Sequence, residues 1–212
     1  MRQRTARPSE TDARKKFDRF KREPPKQIRG IHVEGNEAIE QIAEAVRKVD
    51  RFIRGEFKYT APDLIDRTCM KASEVIAGIE YDADDIEGFT FTMHDRDTER
   101  LPFFGPATGH VISALINNGR DQDYIVHTEF LTRVIQMVGY RNTKNITIEG
   151  GCDYVGWKMS AGRIIVNGNA MNGVGRFMRG GEIYIEGAYN NIIGEDMIGG
   201  KIFHNGRLVI GK

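Results

Sequence analysis

Apolar residues follow two rhythms along this chain, a helical one as far as Val138 and a stricter, glycine-marked one from Ile146 to Lys212. After Gly35 and Asn36, the residues Ile39, Ile42, Ala43, Val46, Val49 and Ile53 recur at three- and four-residue intervals. That spacing predicts a helix with one apolar face, capped by Asn36 and stopped at Gly55. Pro62-Asp63 opens a second expected helix, with Ile65, Cys69, Ala72 and Ile76 on one face and Gly78 at its end. A third is expected over 108–118, carrying Val111, Ile112, Leu115 and Ile116 before Gly119. Thr128 caps an expected fourth, in which Phe130, Leu131, Val134, Ile135 and Val138 precede Gly139. Residues 31–33, 89–93 and 124–126 read as short strands between these helices, so the region 27–145 is α+β.

The second rhythm is a repeat. Ile146-Thr147-Ile148-Glu149-Gly150 leads through Val155-Gly156 and Met159 to Gly162, and Ile164 to Gly168 leads through Val174-Gly175 and Met178 to Gly181. A third copy runs from Ile183 through Ile193-Gly194 and Met197 to Gly200, and a fourth begins at Ile202. Each strand is too short to stand alone, so copies must stack and cover one another's apolar faces. The expected product is a short right-handed parallel β-helix of about three and a half coils, each strand about 4.8 Å from the next. Ile164, Ile183 and Ile202 then form one internal column, Val155, Val174 and Ile193 a second, and Met159, Met178 and Met197 a third. Gly162, Gly181 and Gly200 are expected at corners that need positive φ or close backbone approach.

Strand alternation also predicts the outside. Thr147, Ile165, Tyr184 and Phe203 point away from the coil, and burying each large one is worth roughly 1.5–3 kcal/mol. The helices of 27–145 are expected to cover that stripe, with a subunit interface as the alternative. The internal position held by Val166 and Ile185 becomes His204 in the last copy, as expected for a solvent-facing end or for a dimer contact at an unpaired coil edge.

The pattern G-x(5,6)-[VI]-G-x-x-M-x-x-G-x-I-x-[VI]-x-G resembles the GXGXG repeat in the C-terminal domain of the glutamate synthase large chain, also seen in one of the chains of formylmethanofuran dehydrogenase. The resemblance covers 146–212 only. It implies a β-helix that positions catalytic domains or subunits without performing the chemistry itself. The preceding residues resemble neither the amidotransferase nor the flavin-binding region of glutamate synthase.

Charge changes the picture only at the start. The whole chain balances 31 Lys and Arg against 30 Asp and Glu, which offers no general attraction to nucleic acid or anionic membrane. Residues 1–29 nevertheless hold eleven basic and four acidic side chains, so 1–26 is expected to be a flexible basic arm, or a short helix using Phe17 and Phe20. Without aromatic interleaving or a binding module, nucleic acid is not the expected partner. Two cysteines, Cys69 and Cys152, far apart and without a C-x-x-C spacing, suit a reducing cytoplasm. No apolar run approaches the roughly 18 residues of a membrane span.

Candidate chemistry is sparse. Gly173-Val174-Gly175 is followed by Met178 where a dinucleotide loop needs glycine, so it is read as repeat structure. Residues 105–110 could offer backbone N–H groups to an anion but lack a Walker lysine, and an ordinary helix start is expected there. His32, His94, His110, His127 and His204 show no metal-ligand spacing, and His94-Asp95 is an isolated pair. Cys152 beside Asp153 has no nearby histidine to activate it. The acidic group Asp82, Asp84, Asp85 and Glu87 reads as a solvated loop, without EF-hand spacing for a cation. No catalytic, cofactor or metal residues are therefore assigned. The expected function is a non-catalytic scaffold or assembly protein, acting as a homo-oligomer or a subunit of a larger complex. The alternatives are an accessory subunit of an oxidoreductase complex, or an enzyme whose pocket lies between the α+β region and the β-helix.

Overall fold

The computed structural model describes residues 33, 35–56, 63–190 and 193–212; the basic arm, the 31–32 part of the first expected strand, His32 and Pro62 lie outside them. Helix α1 (Glu37–Glu56) starts where Asn36 Oδ1 accepts the N–H groups of Ala38 and Ile39, at 2.9 and 3.3 Å. Its apolar stripe is buried from Ile39 to Ile53. Asp50 is buried on the same helix, where its carboxylate accepts the Phe103 N–H at 2.7 Å and pairs with Arg54 at 2.7 Å. Helix α2 (Leu64–Ile76) follows as expected and ends just before Gly78.

The strand expected over 89–93 is instead part of helix α3 (Ala83–Thr92), continued by a short 3-10 turn, Met93–Asp95. The acidic residues expected in a solvated loop explain why. Asp82 accepts the Asp85 N–H at 3.0 Å while the Asp85 carboxylate accepts the Asp82 N–H at 3.1 Å, a reciprocal capping box that nucleates a helix. Ile86, Phe89 and Met93 then fall on one buried face, and that packing overrides the strand preference of alternating Phe and Thr. Helix α4 (Phe104–Asn118) begins four residues before the expected Thr108, so the glycines of 105–110 lie inside a helix.

The coiled sheet starts earlier than its repeat. Strand β1 (Asp123–His127) runs parallel to β3 (Asn145–Glu149), which is followed outward by β5 (Arg163–Val166), β6 (Arg179–Ile185) and β7 (Gly199–His204). A smaller face pairs β2 (Ile135–Gln136) with β4 (Cys152–Asp153). The helix expected after Thr128 is therefore absent. Thr128 and Glu129 give their backbone N–H groups to Glu149 O, at 2.7 and 3.0 Å, so this segment follows the next coil. Ile135 and Val138 have helix-like spacing but are buried inside the coil. Register confirms the columns: Tyr124, Ile146, Ile164, Ile183 and Ile202 stack in one, and Val126, Ile148, Val166, Ile185 and His204 in another. Met159, Met178 and Met197 fill the interior. The corner glycines Gly162, Gly181 and Gly200 have φ of 77°, 85° and 101°.

Each end of the coil meets a different element of the chain. At the far end the chain turns at Asn205-Gly206, both with positive φ, and β8 (Arg207–Gly211) returns antiparallel on β7. The edge of β7 is thus paired, and the open edge of the sheet passes to β8. At the near end, α3 lies on β1, with Thr90 Oγ1 accepting the His127 N–H at 3.1 Å. Helix α4 lies on β2 so closely that a Cβ on Gly109 would stand 1.6 Å from Gln136 O. Ser113 Oγ donates to Met137 O at 2.8 Å and Asn117 Nδ2 to Tyr140 O at 2.9 Å, satisfying carbonyls that have no earlier coil to pair with. The helices thus seat on the first coil. They do not cover the outer stripe, which corrects the expected packing.

Candidate functional site

The outer face of the large sheet is organised in three rows by strand register. Ile125, Thr147, Ile165, Tyr184 and Phe203 form the middle row, extended by Leu208 on β8. Ile125 is 39% and Leu208 57% exposed, and the residues between them are half-buried by their neighbours in the row. Tyr184 and Phe203 stack at 4.6 Å with planes 6° apart, and the Arg163 guanidinium lies 5.4 Å from the Tyr184 ring. On one side of this row stand Asp123, Asn145, Arg163, Glu182 and Lys201; on the other stand His127, Glu149, Asn167 and Glu186. Glu182 is engaged by Arg163 at 3.4 Å and by the Tyr184 hydroxyl at 2.9 Å, and Asn167 donates to Glu149 at 2.9 Å. Lys201 and Glu186 have no ionic partner among the described residues.

Two polar clusters lie where the helices meet the coil. In the first, His127 is hydrogen-bonded through Nδ1 to Glu129 at 3.0 Å and through Nε2 to Glu87 at 3.2 Å. Burial disfavours the imidazolium, but the two carboxylates outweigh it and raise the His127 pKa. Both ring nitrogens face carboxylate oxygens, an arrangement that favours the imidazolium. The edge-on Phe91 ring, 5.5 Å away, walls the group.

The second cluster joins α2 to a corner of the coil. Asp66 accepts from the Tyr140 hydroxyl, from Arg141 at 2.7 Å and from Lys158 at 2.8 Å. The Lys158 and Tyr140 hydrogen bonds, aided by the charges of Lys158 and Arg141, hold its pKa below the usual range despite some burial. Tyr140 is pushed the other way, by burial and by the neighbouring carboxylate. Arg141, Lys158 and Phe177 occupy equivalent corner positions with φ of 53°, 58° and 56°. Non-glycine residues hold this left-handed conformation because each donates its N–H across to the next coil, to Trp157 O, Arg176 O and Glu195 O, all at 2.9 Å. The cluster is a set of ion pairs, Arg141 and Lys158 on Asp66, fixing a helix to a corner.

The remaining candidates pack among or bond to their neighbours. His110 is buried in α4, where its Nδ1 bonds Pro106 O at 2.7 Å and burial pushes its pKa down to about 4, leaving it neutral. His94 Nδ1 bonds Phe91 O at 2.9 Å. His204 Nε2 reaches Gly187 O at 2.9 Å, with its ring edge-on to Tyr189, so it closes the last coil. Cys152 is buried and its thiol is pushed up to about 12 by desolvation; Cys69 is raised by the same cause. Gly173 to Gly175 are buried in the coil, with Val174 bridged to Ile193.

Two open grooves accompany these groups, and neither is lined by His110 or His127. One of about 680 Å³ lies among Ile76, Ile79, Tyr81, Asp82, Asn118 and Asp121. The other, of about 390 Å³, runs along the coil corners beside Leu131, Val134, Asp153, Asn169, Met171 and Asn172. Among the described residues, no group of His, Cys, Asp and Glu has the geometry to hold a metal ion, and no helix is long and apolar enough to cross a membrane. Sequence reasoning missed Asp66 and Glu87 as partners, because their contacts cross tens of residues and carry no local spacing, and it passed over Glu129, only two residues from His127. Comparisons with protein-family models, with curated proteins and with solved structures found no match to this chain.

Proposed function

We propose that this protein is a non-catalytic scaffold whose β-helix presents its outer sheet face to another polypeptide. The observation that carries the reading is that the helices seat on the first coil and leave the row from Ile125 to Leu208 without a covering element among the described residues. The polar clusters support it, since Asp66, Arg141 and Lys158, and Glu87 with His127, join helix to coil. The test is to isolate tagged wild-type and Phe203→Glu chains from the native host and compare their stoichiometric partners. Loss of a partner in the variant is expected; identical recoveries with both chains would refute the use of this face.

The repeat favours a second reading, an accessory subunit of an oxidoreductase complex of the glutamate synthase or formylmethanofuran dehydrogenase kind. That complex would carry flavin, molybdenum or iron–sulfur absorbance in its partner chains. A colourless assembly containing no redox protein would remove it.

A further inference from the structure

We infer that the basic segment 14–22 of this same chain docks in the groove bounded by the end of α2, the start of α3 and the end of α4. The inference goes beyond the scaffold reading and uses no residue of the outer face. The groove, of about 680 Å³, has an apolar floor and a carboxylate rim. Ile76 is buried, and Ile79 and Tyr81 are half-buried against the core, with the Tyr81 hydroxyl donating to Leu115 O at 3.0 Å. On the rim, Glu80, Asp82 and Asp121 stand against Arg120 alone, a surplus of two negative charges. Asp84, Asp85 and Asp123 lie close by in the chain and add to the surplus. Lys144, whose Nζ donates to Asp121 O at 2.8 Å, takes one charge from it.

Charge and connection select the occupant. Residues 1–29 carry eleven basic and four acidic side chains, a net of +7, so the rest of a chain of net charge +1 carries −6. Within them, 14–22 sets six Lys and Arg against Asp18 alone, around Phe17 and Phe20. The chain enters the described fold beside the groove. Val33 packs on the core and Asn36 Nδ2 donates to Asp85 Oδ1 at 2.6 Å, one helical turn from Asp82 on the rim. The eleven-residue step from Val33 back to Arg22 spans up to about 35 Å, ample to bring 14–22 onto that rim. The carboxylates of α1, near the same entry point, are already engaged: Glu37 by Gln41 at 2.8 Å, Glu40 by Arg96 at 2.9 Å, and Glu44 by Arg47 and Arg51 at 3.3 and 2.9 Å. Those of the rim are not. Asp82 and Asp121 accept only backbone N–H groups, from Asp85 and Ala83, and none of Glu80, Asp82 and Asp121 has an ionic partner among the described residues.

Exposed ion pairs are weak singly, but a segment tethered this close has an effective concentration on the order of millimolar, so several pairs and two phenyl rings together hold it. The contact is salt-sensitive, because the screening length falls from about 10 Å at 0.1 M to about 3 Å at 1 M.

Carbodiimide cross-linking of the purified full chain, which joins lysine amines to touching carboxylates and is read by peptide mass, tests this. Lys15, Lys16 or Lys21 is expected to be joined to Glu80, Asp82 or Asp121, with a yield that falls about fivefold or more between 0.1 and 1 M salt. Glu80→Lys, and separately Phe17→Ser with Phe20→Ser, should each lower the joining to Asp121 about threefold or more. Glu80 is exposed and makes no hydrogen bond among the described residues, so its substitution leaves the groove intact. In a mixture of isotope-labelled and unlabelled chains, the joined peptides should carry one label. Joining mainly to carboxylates elsewhere overturns the inference, as does joining between differently labelled chains, or a yield indifferent to salt and to the substitutions.

Discussion

Gly162→Ala is the most direct test of how closely the coils approach. Gly162 has φ +77°, and a Cβ there would lie 2.1 Å from Lys144 O and 2.7 Å from Lys144 C. Both obstacles are backbone atoms of the preceding coil, held in the parallel ladder, so they yield only if the stack opens. Gly206 provides the control: φ is +73°, but no atom lies within 4 Å of the added Cβ. Left-handed backbone costs alanine about 1–2 kcal/mol at either site, and loss of unfolded-state freedom returns about 0.4–1 kcal/mol at both. The clash adds about 1–3 kcal/mol at Gly162 alone. Gly162→Ala should therefore melt about 2–12 °C below Gly206→Ala, at about 2–4 °C per kcal/mol for a chain of this size. Thermal unfolding followed by far-ultraviolet circular dichroism reads the difference. Equal melting temperatures for the two variants would show that coil spacing does not set the glycine requirement.

Other expectations follow from the same contacts. The raised pKa of His127 contributes stability that is fully present below its unfolded value and lost as pH rises through the folded one, so wild type should lose urea resistance as pH rises above about 6.5. His127→Gln should flatten that loss, and an unchanged pH profile in the variant would refute the assignment. Met178→Ala removes a fully buried side chain from the inner column and should cost about 2–5 kcal/mol in urea unfolding, an effect absent if the column is solvated. Cys152, buried with its thiol pushed up to about 12, should resist thiol reagents at pH 8 until the chain unfolds; a Cys152 adduct on the folded protein, located by peptide mass, would contradict its placement.

The repeat was legible because each strand there has one job, and the same job recurs. Alternation assigned Ile164, Ile183 and Ile202 to the interior and Tyr184 and Phe203 to the outside, and the register agrees residue by residue. The first coil was not legible, although it belongs to the same sheet. Residues 123–144 lack the Gly-x-x-Met-x-x-Gly signature, and apolar spacing at 130–138 fits a helix as well as a coil. What decided the matter was the neighbouring coil, which offers Glu149 O to the N–H groups of Thr128 and Glu129. Residues 89–93 erred in the opposite direction. Their alternation suggested a strand, while the capping box at Asp82 and Asp85 and the buried face of Ile86, Phe89 and Met93 make a helix.

By itself the sequence determined the coil: its period, its inner columns and the glycines at its corners, all consequences of short-range alternation repeated at fixed spacing. Only the tertiary structure decided where the coil begins and how it ends. An end has no neighbour of its own kind, so it must be satisfied by whatever else the chain supplies. At one end that is α3 and α4, through Thr90, Ser113, Asn117 and the close approach at Gly109; at the other it is the returning strand β8. With the helices seated on the first coil, the row from Ile125 to Leu208 has no covering element among the described residues, a result of long-range packing that no local pattern encodes.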